Sequence, residues 1–162
     1  MTMATDHVLL LGTLVGNFQS LECLLRFYLQ ALAAKTGAAA PGKPYCDLTV
    51  GEVVSIDEVS NYDTLGKLVQ KYNADVVQRD PALKVDDSVV RTRDLLAHGR
   101  VSAASQSLAE MRILKFDKPA KGATHVRVVA NEMMSDAWFE SETAKVREQI
   151  ASVASAYRTL TS

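Results

Sequence analysis

Apolar side chains near the start of the chain recur at alternating intervals of three and four: Leu11, Leu14, Phe18, Leu21, Leu25, Tyr28 and Leu32. That period puts one continuous apolar stripe along a helix over residues 5–35, about eight turns long. Beside it runs a line of small residues, Gly12, Gly16, Ser20 and Cys23. Small side chains admit a close neighbour, so the spacing predicts a helix packed on two sides. Residues 36–62 break the pattern with Gly37, Pro41, Gly42 and Pro44 and read as a long connection, with a short strand or turn around Leu48–Ile56.

Periodicity returns after Asp63, a good N-cap, with Leu65, Leu68, Tyr72 and Val76 on one face. This second helix ends ahead of Pro81, because the residue before proline avoids helical angles. Asp86 or Asp87 then caps a third helix through Val89, Val90, Leu95 and Leu96, and Gly99 reads as its left-handed terminator. The period next falls to two. Residues 112–117 and 124–129 read as paired strands around a turn at Lys118–Gly122. Leu114 and Phe116 are expected to face Val126 and Val128 on the buried side, with Lys115, His125 and Arg127 outward. Ser135 caps a last helix bearing Phe139, Val146, Ile150, Val153, Tyr157 and Leu160. The expected fold is mainly α: one domain over 1–162, a four-to-five-helix bundle with a β-hairpin inserted at about 109–132, between the third and last long helices.

Composition changes this picture little. The chain has 18 Lys and Arg against 19 Asp and Glu, so a polyanion must be attracted by local clustering and not by net charge. Cys23 and Cys46 are too few for a disulfide framework. The first residues lack the basic flank of a signal peptide. The apolar run Val8–Leu11 is too short to span a bilayer, and Gly12, Asn17, Gln19, Glu22 and Arg26 interrupt the helix beyond it. A cytoplasmic protein with no membrane partner is the expectation.

Candidate chemistry is sparse. No glycine-rich loop with a lysine offers a phosphate cradle. His7, His98 and His125 sit on different elements without ligand spacing, so neither a metal nor another cofactor is expected. Trp138 and Phe139 read as an aromatic anchor at the start of the last helix, with base stacking as the alternative. The remaining grouping is Arg93-Asp94-Leu95-Leu96-Ala97-His98, followed by Gly99-Arg100. Asp94 and His98, four apart, share a helix face, which places the carboxylate to orient the imidazole. Arg93 lies about 140° around an ideal helix from His98. An arginine for phosphate and an imidazole for proton transfer are what metal-free RNA cleavage requires. Arg91 and Arg100, with Lys84 upstream, add a small basic strip. A plain helix terminus explains the same residues, since His and Arg suit the C-terminal end of the macrodipole.

The six residues Arg93–His98 resemble the R-x(4–6)-H signature of the HEPN superfamily (higher eukaryotes and prokaryotes nucleotide-binding domains), in which a polar residue commonly follows the arginine, as Asp94 does here. The order of elements is similar too: a long first helix, a second helix, the motif near a helix end, then a further long helix. The resemblance implies a metal-independent endoribonuclease, often a toxin or defence effector, working as a homodimer whose two motifs face one cleft. Arg93 is then expected to hold the phosphate, His98 to act as acid and base, Asp94 to support the geometry, and Arg91 and Arg100 to contact RNA. An antitoxin or regulatory protein is the implied partner. The inserted hairpin departs from the minimal helical domain. The superfamily also includes non-catalytic members, so a helical module that binds a nucleotide or a protein is the second reading, and a purely structural helical protein the third.

Overall fold

A computed structural model describes residues 3–38, 45–103 and 111–162. Among these the chain is mainly helical, with four α-helices and a three-stranded antiparallel sheet: α1 Met3–Lys35, α2 Leu65–Arg79, α3 Ser88–His98, β1 Arg100–Ala103, β2 Met111–Phe116, β3 Val128–Met133 and α4 Asp136–Thr161. Short 3-10 turns stand at Tyr45–Asp47 and Pro81–Leu83. The expected positions 39–44 of the connection, and 109–110 of the insertion, lie outside the described residues.

The chain divides into two compact units, one of residues 1–18 and 88–146, the other of residues 19–87 and 147–162. The first buries Leu14, Phe18, Val89, Leu95, Ile113, Met134, Phe139 and Val146. The second buries Leu21, Leu25, Tyr28, Leu29, the α2 stripe Leu65, Leu68, Val69, Tyr72 and Val76, and Val153, Ala156 and Leu160 of α4. By length and composition, His7–Lys35 is apolar enough to cross a membrane, at a mean hydropathy of 1.5. The expectation that polar residues interrupt it too heavily is therefore corrected. Leu14, Phe18, Leu21, Leu25, Tyr28 and Leu29 of this helix are buried, while Val8, Leu9 and Val15 are exposed.

Local chemistry sets the helix ends. The N-cap of α2 is Thr64, whose hydroxyl accepts from the Lys67 amide at 3.4 Å, and not Asp63. Asp63 instead pairs with Lys71 at 2.8 Å and Lys67 at 3.6 Å. Ser135 caps α4 as expected, accepting from the Trp138 amide at 3.2 Å. Gly99 is not left-handed: among the described residues positive φ occurs at Gly37, Gly51 and Gly122. Its role is steric, since a Cβ there would stand 2.4 Å from the Leu95 carbonyl oxygen and 2.6 Å from Ile113 Cγ1. Among the described residues nothing lies within 4 Å of a Cβ built at Gly12 or Gly16, so no close neighbour packs at these two glycines there.

The sheet order is β1-β2-β3, with Arg100 opposite Leu114 and Leu114 opposite Asn131. β1 is not among the expected elements, and β3 starts at Val128, four residues later than expected. The connection turns at Gly122, at φ 80°, where Ala123 donates to the Ala120 carbonyl at 3.0 Å. The buried face is the opposite of the one read from the pattern: Ile113 is fully buried, while Val126 and Val128 are half exposed. Ile113 packs at Gly99, and Lys115 follows it onto the α3 side because Asp94 is there to receive its charge.

Candidate functional site

α3 stays helical through His98, and the Gly99 amide still donates to the Leu95 carbonyl at 2.7 Å. His98 and Asp94 therefore keep the face-sharing spacing of four, with Nε2 3.4 Å from Oδ1. The imidazole is well exposed, its side chain 64% accessible against 42% for Asp94. The other carboxylate oxygen of Asp94 receives the ammonium of Lys115 from β2. One acid thus joins the end of α3, the middle strand and the imidazole.

Arg93 is not brought to this pair. Helical geometry through His98 leaves it about 140° around the axis. It is half-buried, with no hydrogen-bond or ion-pair partner among the described residues. Arg91 lies three residues before Asp94 and so on the Asp94 and His98 face, exposed to solvent. Arg100, two residues past His98, lays its guanidinium carbon 5.2 Å from the centroid of the Phe116 ring.

Behind Asp94 a cleft of about 450 Å³ opens within the first unit. Arg91, Asp94 and Lys115 line it, as do Glu132, Trp138, Glu142 and Lys145; Arg93 and His98 do not. Its floor is ordered by Glu142, only 8% exposed, which accepts from the Thr92 hydroxyl at 2.7 Å and pairs with Lys145 at 2.6 Å. Trp138 is fixed by its indole N–H donating to Glu132 at 3.0 Å and by an edge-on contact with Phe139. Sequence reading misses Lys115 and this cleft. Both depend on which face of β2 meets α3, a long-range choice that strand periodicity assigns the other way.

His7 is buried, edge-on to Phe139 and 3.6 Å from Asp136, and belongs to the core of the first unit. His125 is exposed beside the Thr124 hydroxyl. Among the described residues no group of three His, Cys, Asp or Glu is placed to hold a metal ion. Comparison of the chain with protein-family models, with curated proteins and with solved structures finds no match.

Proposed function

We propose that the chain is a metal-independent endoribonuclease of the HEPN type, a helical bundle carrying β1–β3 as an insertion between α3 and α4, and that it acts as a homodimer. The observation that carries this reading is the exposed His98 imidazole held against Asp94, a carboxylate itself anchored by Lys115. With Nε2 turned to Asp94, the Nδ1 nitrogen is left for substrate. One His98 takes the proton of the 2′-hydroxyl as it attacks phosphorus, and a second protonates the departing 5′-oxygen. The products are a 2′,3′-cyclic phosphate and a 5′-hydroxyl. A pentavalent phosphorus needs a cation, and Arg93 has no partner of its own among the described residues. Because Arg93 and His98 point to different sides of one α3, the pair is completed by a second copy across a two-fold axis.

The test is cleavage of several RNAs in chelator. Wild type is expected to leave cyclic-phosphate ends, and His98→Ala to lose on the order of 100- to 10,000-fold in rate while staying folded. Arg93→Ala is expected to lose activity comparably. Cleavage by both variants at the wild-type rate would remove the mechanism.

The cleft favours a second reading, a non-catalytic module that binds a nucleotide or a protein partner. Arg91, Lys115 and Lys145 supply cations there, and Trp138 supplies a stacking face. Trp138 is the only tryptophan, so nucleotide-dependent quenching of its fluorescence without RNA cleavage selects this reading.

A further inference from the structure

The register of the sheet sorts its side chains into two faces. Ile113 and Lys115 point toward α3, the first against Gly99 and the second onto Asp94. Alternation then sends Arg112, Leu114 and Phe116 to the far side, together with Arg100 of β1 and Asn131 and Met133 of β3, which stand opposite them. Two contacts fix the assignment: Arg100 over the Phe116 ring, and Arg112 donating to the Asn131 side-chain oxygen at 3.3 Å. This face is open. Arg100, Arg112 and Asn131 are exposed, Met133 is 45% and Val128 50% accessible, and Leu114 and Phe116 are half-buried.

An open sheet face with an aromatic at the end of its middle strand, a guanidinium stacked on it, a second arginine and a carboxamide is unlike the polar outer face that an antiparallel sheet usually turns to water. Its charge is also one-sided. The outer face itself carries Arg100 and Arg112, and the connection between β2 and β3 adds Lys118, Lys121 and Arg127 against Asp117, in a chain whose net charge is −1. The sheet and its connection are thus basic where the chain as a whole is nearly neutral.

We propose that the outer face of β1–β3 is a platform for single-stranded RNA. Bases stack on Phe116 and on the free plane of the Arg100 guanidinium, and Arg112 with the basic connection tracks the phosphates. An unstacked strand is the occupant that uses both features, since a duplex hides its bases and an acidic protein has none to stack. The choice of RNA rests on the ribonuclease reading.

The probe is a fluorescein-labelled 2′-O-methyl RNA of about a dozen nucleotides, a length single-strand platforms cover, which cannot be cleaved through its 2′-oxygen. The full chain is expected to bind it with an affinity that falls steeply with salt. Arg100→Ala combined with Arg112→Ala should weaken binding about tenfold or more, and Phe116→Ala by about five- to a hundredfold. Circular dichroism checks that each variant is folded, and Phe116→Trp, which keeps a stacking ring, should retain binding. Failure of the wild type to bind overturns the proposal, as does binding within about twofold by the arginine and Phe116→Ala variants. Equal competition by the same sequence as a duplex also overturns it. So does a Phe116→Ala variant that loses dimer mass yet keeps RNA affinity, because the face is then a protein contact. Binding without cleavage by the wild type fells the ribonuclease reading and leaves this platform standing; unaltered cleavage by Phe116→Ala does the reverse.

Discussion

Gly99 separates the helix that ends in His98 from the strand that begins with Arg100, and it has no room for a side chain. Its Cβ position is blocked by the backbone of Leu95, which cannot swing aside, and by Ile113 from β2. Gly99→Ala is therefore expected to cost about 1–3 kcal/mol, the usual range for overpacking a filled site. Gly12→Ala should do the opposite. It sits inside α1 with open space around it, so helix propensity alone gives a gain of up to about 1 kcal/mol. Urea midpoints of the two variants, moving in opposite directions, check both. From sequence each glycine suggests a local role: one a helix terminator, the other a packing notch. Neither true role is legible there, because each is decided by residues far away in the chain. The spacing of Asp94 and His98 is legible for the contrary reason, since four residues along one helix need no tertiary information.

At the scale of elements, patterns with a local cause are readable and those with a distant cause are not. Three-four spacing and a serine cap locate α4, and Pro81 bounds α2. β1 is too short to show an alternation, and β2 turns the face with a lysine inward because a carboxylate on α3 accepts it. The stretch before α2 looks structureless in sequence, yet one helical side chain holds it. Arg26 of α1 donates to the carbonyls of Glu58 at 3.1 Å, Asn61 at 3.0 Å and Asp63 at 2.8 Å, and pairs with Glu22. Asp57 makes the turn there, accepting from the amides of Val59 and Ser60 at 2.9 and 2.8 Å. Lysine cannot reproduce a planar fork that reaches several carbonyls, and charge-assisted bonds carry about 1.5–3 kcal/mol each when counted singly. Arg26→Lys should consequently destabilise the protein by about 2 kcal/mol or more. Hydrogen exchange is the more specific readout: the Asn61 amide, bonded to the Asp57 carbonyl, should lose protection before those of α2 do.

For the whole molecule, acid separates the two units, because three carboxyls held below their ordinary range all belong to the second. Burial pushes Asp75 up, but hydrogen bonds from Arg79 and Tyr28 outweigh it. Burial likewise raises Asp57, and hydrogen bonds from Ser60 and Val59 overcome that. Asp63 is lowered chiefly by its hydrogen bond from Lys71 and, being part of a surface ion pair, contributes only a salt-screened amount. A carboxyl depressed in the folded state binds its proton less readily there than in the unfolded chain. Its stabilisation is fully present above the unfolded value, near pH 4, and is lost as pH falls through the lower folded value. The second unit should thus weaken progressively below about pH 4. The spectroscopic labels are already divided to report on this. All five tyrosines, Tyr28, Tyr45, Tyr62, Tyr72 and Tyr157, lie in the second unit, and the single tryptophan, Trp138, lies in the first. On acid titration the tyrosine signal should change at a higher pH than that of Trp138, and Asp75→Asn should flatten the slope of stability against pH in this window. Coincident tyrosine and tryptophan transitions would show instead that α1 and α4, which run through both units, unfold them as one.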